Sequence, residues 1–364
     1  MALFQILDAI PELIKKTFPI PGRFKNALPL NIAKLSRLLT NNRGERTLSY
    51  LSRPEMLSAY LYYFLPWNLY RLCFLLPCLD LKLKPGDIVT DLGSGPLSFV
   101  SALWISRPEL RNLPLEINCI DRCSPALDAG KNFFNALAGE NNWKINLIRD
   151  DIDIRKTGKG KKASLVSAVN LFNEIYEKIP HNNTEKLKQF ADNSAEFLHN
   201  TALQEAFIFT AEPGVPQSGR FISFLRDAFL KMERMPFSPC THTESCPLAG
   251  NSGQKRWCHF AFETENVSNE LQRLSAAAGL PKERLVISYL LTGKKTENTQ
   301  SRVISDAFPL SSGLFGRYCC CADGLVLLTG VKNQITKIKP HSTVKINLNG
   351  NIDKKSGALT GELK

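Results

Sequence analysis

The 364-residue sequence has no uninterrupted hydrophobic run of the length that crosses a lipid bilayer. Its most apolar stretch, residues 57–81, is broken by prolines and polar side chains at Pro66, Asn68, Arg71 and Pro77. This pattern predicts a buried pair of helices instead of a membrane span. We therefore expect a protein with no membrane partner.

The N-terminal segment also lacks the features of a targeting signal. MALFQILDAIPELIKK carries Asp8 and Glu12, and it has neither a basic leading region nor a small-residue cleavage site. We expect a cytoplasmic protein of bacterial type. In a reducing compartment ten cysteines do not form a disulfide framework, so clustered cysteines indicate metal or redox chemistry.

The composition is that of a basic globular protein. Lysine and arginine total 46 against 34 aspartates and glutamates, which gives a formal net charge of +12. Such a charge favours phosphate-rich partners, and we expect nucleic acid before an anionic membrane surface. The length corresponds to one elaborated domain or two.

The hydrophobic pattern changes once along the chain, near residue 80. Residues 1–80 show apolar positions at helical spacing with basic residues between them, which predicts a basic helical region. Apolar strands and helical stretches alternate from residue 81 to 310, and this predicts an α/β domain with a doubly wound, mostly parallel, Rossmann-like sheet. The predicted strands cover residues 87–93, 116–121, 144–151, 164–170 and 205–214.

A cysteine-rich insertion at residues 236–262 follows the fifth strand. A helix closed by Gly279 and a strand at residues 284–293 then resume the sheet. Residues 311–364 read as a small β appendage, in which Asp323 and Gly324 form a strong hairpin signal.

The segment DIVTDLGSGPLSF predicts a cofactor cradle between the first strand and a helix. Asp91 ends the strand, and Gly93, Ser94 and Gly95 let backbone amides approach a ligand. The missing third glycine and the preceding carboxylate argue against a dinucleotide. A carboxylate at this position suits a cationic ligand, such as the amino end of S-adenosylmethionine.

Polar residues also end the next three strands. Asp121 occupies the position from which a carboxylate accepts hydrogen bonds from ribose hydroxyls. Asp150 and Asp151 follow the third strand, where an acidic side chain can meet the adenine amino group. Asn170 ends the fourth strand at the rim where such sheets bind ligands.

No residue has the signature of a dedicated catalytic group. The sequence lacks an Asn/Asp-Pro-Pro-Tyr/Phe motif, and no cysteine follows a proline at the fourth strand. Methyl transfer from a sulfonium depends mainly on in-line positioning, so an acid or base is dispensable. Asn173 and Glu174 are the polar residues that we place nearest to the transferred methyl group.

A second site is predicted from CTHTESCPLAGNSGQKRWCHF. Its thiols, Cys240, Cys246 and Cys258, supply three metal ligands, and a fourth is expected from the CCC triplet at residues 319–321. Thiolates select zinc or an iron-sulfur cluster, and spacings longer than the CxxC knuckle favour iron-sulfur. The two histidines of this segment are rival ligands that we place around the site instead.

These motifs together resemble one family. From the region of Tyr60 to Gly330 the chain is similar to the methyltransferase-like small-subunit assembly proteins of bacteria and mitochondria. The motifs that carry this similarity are DLGSGPLSF, NLFNEIY, AEPG, CTHTESCPL, RWCHF and CCCADG. The resemblance implies a class I S-adenosylmethionine-dependent methyltransferase fold, association with the small ribosomal subunit and its rRNA, and a four-iron four-sulfur cluster. The implied cluster ligands are Cys240, Cys246, Cys258 and Cys320, with Cys321 a close alternative.

Two segments depart from the family pattern. Thr-His-Thr-Glu follows the first family cysteine, and the C-terminal tail lacks the basic, aromatic ending that is common in the family. The function expected is an S-adenosylmethionine-binding, methyltransferase-like protein, monomeric off the ribosome, that methylates rRNA or assists subunit assembly. The alternatives are a non-catalytic RNA-binding assembly factor and a small-molecule methyltransferase with structural zinc.

Overall fold

The computed structural model describes residues 3–40, 50–156, 161–249, 256–293, 300–311 and 313–364. The chain divides into two compact units. Unit 1 comprises Met1–Lys178, Thr201–Leu203 and Phe262–Leu285, and unit 2 comprises Ile179–Asn200, Gln204–Ala261 and Val286–Lys364. Over the described ranges, no helix combines the length and apolar character that a membrane crossing requires. The predicted three-part division of the chain stays a prediction.

Unit 1 begins with helices, as the sequence predicts. A π-helical turn at Tyr60–Phe64 joins α4 to α5. The helices of unit 1 are α1 (Leu3–Thr17), α2 (Gly22–Lys25), α3 (Leu28–Thr40), α4 (Pro54–Ala59), α5 (Leu65–Leu75), α6 (Ser98–Ser106), α7 (Ser124–Ala138), α8 (Phe172–Ile175) and α11 (Asn269–Ala277).

The sheet of unit 1 contains four parallel strands in the order β3-β2-β1-β4. They are β1 (Ile88–Leu92), β2 (Leu115–Asp121), β3 (Trp143–Arg149) and β4 (Ala163–Val169). The predicted parallel α/β arrangement is therefore confirmed. Asp91 pairs with Cys119 on one side and Ser167 on the other, so the carboxyl ends of the strands meet at one edge.

Aromatic packing fixes α6 and α7 against this sheet. The Trp104 ring lies 5.7 Å from Phe134 and 5.0 Å from Trp143, both edge-on, and all three side chains are buried. Burial of such rings contributes on the order of 2 kcal/mol each. The helix that follows β1 is thereby held with its N-terminus at the carboxyl edge.

Unit 2 contains the strands that follow β4 in the chain. Its elements, some of which extend a few residues into unit 1, are α9 (Thr184–Thr201), β5 (Ala202–Pro213), α10 (Pro216–Lys231), β6 (Met235–Ser238), β7 (Phe260–Glu263) and β8 (Arg284–Gly293). The predicted strand at residues 284–293 is confirmed, but both β5 and β6 pair with it antiparallel. A strand buried on both faces has the same apolar pattern in either direction, so the pattern could not give the direction.

The second sheet of unit 2 has seven strands in the order β13-β9-β11-β12-β15-β14, with β10 beside β11. They are β9 (Ser301–Val303), β10 (Phe308–Pro309), β11 (Phe315–Cys321), β12 (Gly324–Gly330), β13 (Thr343–Val344), β14 (Ile346–Ile352) and β15 (Leu359–Leu363), with α12 (Lys332–Ile335) between them. The hairpin of β11 and β12 turns before Gly324, whose φ is +117°, and confirms the hairpin signal.

Candidate functional site

The loop from β1 to α6 has the backbone of a cradle. Gly93 and Gly95 have φ of +69° and +48°, and Leu97 also lies in the left-handed region at 56°. The amides of Gly93 and Ser94 donate to the carbonyl of Ile120 at 2.9 and 3.0 Å. These bonds tie the loop to the end of β2. A Cβ added to Gly95 would meet no atom within 4 Å, so open space adjoins the loop there.

Asp91 is the most deeply buried acid of the loop, with 1% of its surface exposed. Its Oδ1 accepts a hydrogen bond from the Ser167 hydroxyl at 2.7 Å, whereas its buried Oδ2 has no partner among the described residues. Burial raises the pKa of this carboxyl to about 7. An unpaired buried carboxylate oxygen costs free energy unless a ligand donates to it.

Asp121 closes the other side of the cradle. Its Oδ2 accepts from the Gly95 amide at 2.9 Å, and its Oδ1 accepts from the Cys123 amide at 2.8 Å. Burial raises the pKa of this carboxyl, while the two amide bonds oppose the rise. The Gly95 amide, which the sequence predicts to face a ligand, is therefore paired with Asp121. The ribose contact predicted for Asp121 remains a prediction.

A small cavity lies beside Asp91 and the two loop glycines. Its volume is about 20 Å³, which is room for about one water molecule. Tyr60 and Asn68 of the helical region line it together with Asn170, which ends β4 at a left-handed φ of 54°. This volume is far smaller than a nucleoside, so the cavity in this structure is too small to hold one.

The remaining acids of this edge are arranged around Arg122. One guanidinium nitrogen lies 3.9 Å from Oδ1 of Asp151 and another 4.0 Å from Oε2 of Glu174. The Tyr50 hydroxyl also donates to Oε1 of Glu174 at 3.1 Å. Asp150 and Asp151 are exposed directly after β3. The two acids expected near adenine therefore face solvent, and Glu174 is held by two side chains.

Asn173, the other residue placed near the methyl group, is 8% exposed.

Gly130 on α7 has a packing role that the sequence did not reveal, because a Cβ there would lie 2.4 Å from the carbonyl carbon of Pro96. This close approach of helix and loop is the packing that the third glycine of a dinucleotide motif supplies. A glycine inside an otherwise regular helix is the signal that could have identified it.

The four thiols implied as cluster ligands meet in unit 2. Burial raises the pKa of Cys258 well above its ordinary value, and the neighbouring thiols of Cys240, Cys246 and Cys320 raise it further. Burial likewise raises the pKa of Cys320, and Cys240 and Cys246 add to the rise. The influence of Cys240 and Cys246 on both Cys258 and Cys320 indicates that the four side chains lie near one another.

The other two cysteines of the triplet pack into the core of the second sheet, although Cys321 also borders a cavity that Cys240 and His242 line. Cys319 and Cys321 alternate with Cys320 along β11 and lie in the core of the second sheet, beside Val303 and Val326. The Cys320 thiol instead lies 3.3 Å from Nε2 of His242. Of the three adjacent thiols, Cys320 is the one with this contact to the segment between Cys240 and Cys246, and its assignment as the fourth ligand stays a prediction.

Arg226 on α10 organises the segment that carries the first two thiols. Its side chain is 2% exposed, and one terminal nitrogen donates to the carbonyls of His242 at 2.9 Å and Glu244 at 2.6 Å. The other terminal nitrogen donates to Oδ1 of Asp227 at 2.9 Å. Burial raises the pKa of Cys240 to about 11, and the Arg226 charge opposes that rise. The guanidinium thus favours thiolate character.

The donor set fits one kind of metal centre better than another. Across the described ranges, no three histidine, cysteine or acidic side chains surround a point as ligands of a single ion do. In a four-iron cluster each of the four thiolates binds a separate iron atom, so the four sulfurs do not have to surround a single point. The iron-sulfur cluster on these thiols stays a prediction.

His259 is satisfied by local contacts. Its Nδ1 lies 3.0 Å from the carbonyl of Trp257, and the two rings stack at 4.8 Å. His242, by contrast, has a buried Nδ1 without a partner among the described residues, while its Nε2 faces Cys320. His242 is therefore the histidine that contacts the thiol group, as a neighbour of a proposed ligand.

Three solved structures illustrate the similarity to known folds. A SAM-dependent methyltransferase from Geobacter sulfurreducens in complex with S-adenosyl-L-homocysteine is 12% identical, covers 72% of this chain and 98% of its own, and gives a TM-score of 0.35. The corresponding complex from Thiobacillus denitrificans is 12% identical over 62% and 91%, with a TM-score of 0.36. Geranyl diphosphate C-methyltransferase from Streptomyces coelicolor A3(2) is 11% identical over 62% and 79%, with a TM-score of 0.34.

Comparison with curated proteins gives no significant match. A family model, described as mitochondrial small ribosomal subunit Rsm22, matches residues 85–323. The match covers more than half of the chain and includes both the cradle loop and the four thiols. The chain therefore belongs to the Rsm22 family.

Proposed function

We propose that this protein binds S-adenosylmethionine at the carboxyl edge of β1–β4 and acts on the small ribosomal subunit as a methyltransferase. The observation that carries the proposal is the unpaired, buried Oδ2 of Asp91. A ligand ammonium group would supply the missing donor and stabilise the ionised carboxylate. Open space at the Cβ position of Gly95 leaves the loop accessible to the same ligand.

The other strand ends have separate roles in this proposal. Asp121 accepts from the ribose hydroxyls, and it retains its amide bonds because a carboxylate has about four lone-pair sites. Asp150 and Asp151 lie where the adenine amino group is expected. Asn170 borders the cavity from the end of β4.

Methyl transfer requires the acceptor to be held in line with the sulfonium methyl group, and such positioning can supply roughly 7 to 11 kcal/mol of the barrier. Asn173 and Glu174 are the residues that we assign to the acceptor side. Glu174 is suited to this role because Tyr50 and Arg122 fix its two oxygens.

The proposed substrate is rRNA of the small subunit. The family description names that subunit, and the net charge of +12 favours a polyanionic partner. Because the same description names a mitochondrial subunit, the cytoplasmic location expected from the sequence stays a prediction.

The proposal includes a four-iron four-sulfur cluster on four thiols of unit 2: Cys240, Cys246, Cys258 and Cys320. Its ligation free energy would be folding free energy for the loop between the first ligands. Zinc is the alternative. Arg226 supports an anionic centre, since its buried charge lies close to these thiols.

A second function is favoured by the size of the cavity. The water-sized space beside Asp91 suits a protein that retains a methyltransferase-type fold without turnover. Such a protein would be an RNA-binding assembly factor, with the thiol centre stabilising its RNA-binding surface.

One experiment separates the two functions. Purified wild-type protein is titrated calorimetrically with S-adenosylmethionine and then incubated with radiolabelled donor and small subunits from a deletion strain. The enzyme is expected to bind the donor and label rRNA, whereas Gly95→Asp does neither because a carboxylate enters the cradle. Donor binding without transfer of label to the subunits identifies the assembly factor, and absence of donor binding contradicts the proposed cofactor site.

A further inference from the structure

Arg71 on α5 is a half-buried cation without an acidic partner in the described part of the chain. Its terminal nitrogen donates to Oδ1 of Asn68 at 3.2 Å, and its buried Nε has no partner there. Burial lowers the pKa of Arg71 to about 10, so the group remains a cation at neutral pH. A neutral amide oxygen is a weak acceptor for a guanidinium removed from water.

Arg71 is linked through its acceptor to the cavity that Asp91 lines. Its acceptor, Asn68, lines that cavity and is 8% exposed. Nδ2 of Asn68 donates to the hydroxyl of Tyr60 at 3.4 Å, and Tyr60 lines the cavity as well. Burial raises the pKa of the Tyr60 hydroxyl, and the Arg71 charge opposes that rise. Hydrogen bonds therefore connect Arg71 through Asn68 to Tyr60 in the cavity wall.

An acid thus lines one small cavity and a cation is bound to another residue of its wall, and each of the two lacks a partner for one atom. Asp91 has an acceptor oxygen to satisfy, and Arg71 has a donor nitrogen. A ligand with only an ammonium group would satisfy the first and leave the second. The free end of an α-amino acid carries an ammonium and a carboxylate on one carbon, so it satisfies both.

We infer that Arg71 binds the carboxylate of the methionine moiety of S-adenosylmethionine and so makes the site specific for a nucleoside that ends in an intact amino acid. This inference rests on the proposed function. The ligand carboxylate takes the place of Asn68 Oδ1 as acceptor of the guanidinium. Asp91 binds the ammonium group of the same carbon, and the released Asn68 side chain makes room in the cavity.

Lys282 provides a matched control because it is a second half-buried cation near Arg71. Its Nζ lies 5.8 Å from the centre of the Tyr63 ring and 5.9 Å from that of Trp67. Burial lowers the pKa of Lys282 to about 8, and the Arg71 charge lowers it further. Unlike Arg71, this cation faces aromatic rings that stabilise it.

The test compares S-adenosylmethionine with its decarboxylated analogue, which keeps the ammonium group and lacks only the carboxylate. Calorimetric titration of wild-type protein is expected to show about 10- to 100-fold tighter binding of the intact compound. Arg71→Met should abolish this preference by weakening only the intact compound, and Arg71→Lys should retain part of it. Lys282→Met should keep the full preference.

Three results of these titrations would overturn the inference. Equal affinity of wild-type protein for the two compounds overturns it whether or not Arg71→Met folds. A folded Arg71→Met variant, shown by an unchanged circular dichroism spectrum, with the wild-type preference also overturns it and leaves the proposed function in place. Wild-type protein that binds neither compound overturns both the inference and the proposed cofactor site.

Discussion

Nε2 of His242 lies 3.3 Å from Sγ of Cys320, although 78 positions separate the two residues in the sequence. His242 belongs to the segment between the first two proposed cluster ligands, and Cys320 belongs to β11 of the second sheet. The contact therefore joins the cysteine-rich insertion to the CCC triplet inside unit 2. A ring nitrogen beside a ligand sulfur is the kind of neighbour that adjusts the properties of a metal centre.

Substitution within the triplet tests which thiol belongs to the centre. Cys320→Ser should remove most of the iron from anaerobically purified protein, because a ligand is lost. Cys319→Ser should keep the iron content, although a hydroxyl in the core of the second sheet costs about 1 to 3 kcal/mol. Iron and sulfide analysis with visible absorbance measures both. Loss of iron from Cys319→Ser together with full iron in Cys320→Ser would contradict the assignment.

Arg226→Met should lower the free energy of unfolding of unit 2 by roughly 2 to 5 kcal/mol. The substitution leaves the carbonyls of His242 and Glu244 without their shared donor in a buried setting. Urea titration followed by circular dichroism measures the midpoint. Arg155→Met is the control, because Arg155 is exposed and pairs with Asp153 at the surface. Equal midpoints for the two variants would exclude the organising role of Arg226.

The sequence predicted the strands of unit 1 well because each apolar run is short and ends in a turn signal. β1, β2, β3 and β4 all lie within one or two residues of the predicted bounds. Parallel pairing then places the ends of these strands at one edge, which is why Asp91 and Asp121 could be assigned to one site. The same parallel pairing places the glycine loop after β1 beside Asp121 at the end of β2, where the Gly95 amide donates to this carboxylate.

Contacts made across long sequence separations could not be predicted in the same way. Asn68 and Arg71 appear in the sequence only as polar interruptions of an apolar stretch, yet Asn68 lines the cavity of Asp91 and Arg71 donates to Asn68. Arg226 occupies a helix whose sequence gives no sign that its charge is buried. A polar residue inside an apolar helical segment is a signal, but its partner becomes known only from the fold.

Gly130→Ala should disturb the cradle loop where it packs against α7. The new methyl group would lie 2.4 Å from the Pro96 carbonyl carbon, so α7 or the loop must shift at a cost of about 1 to 3 kcal/mol. We expect a lower unfolding midpoint and weaker binding of S-adenosylmethionine. Gly22→Ala is the matched control, because a Cβ there meets no atom within 4 Å. Wild-type affinity and stability in Gly130→Ala would show that the loop tolerates the added volume.

Asp91 should make both stability and ligand affinity depend on pH. Below about pH 4 the carboxyl is protonated in the folded and unfolded states alike. Between about pH 4 and 7 the unfolded chain loses this proton, whereas burial keeps it on the folded protein. The free energy of unfolding therefore falls as the pH rises through this window, by at most about 4 kcal/mol, and levels off above it. Asp91→Asn should remove this contribution to the slope in urea titrations at successive pH values.

The same carboxyl controls binding of a cationic ligand, because only its ionised form attracts an ammonium group. With a pKa of about 7, the ionised fraction rises about fivefold from pH 6 to pH 7, and the affinity for S-adenosylmethionine should rise by about the same factor. Above pH 7 the ammonium group of the ligand, whose pKa is about 8, begins to lose its proton, so the rise should level off. Asp91→Asn should bind more weakly and with no such dependence, since its amide does not titrate. Calorimetric titrations of both proteins at pH 6, 7 and 8 measure this. A wild-type affinity that does not change across this range would exclude Asp91 as the group that binds the ammonium.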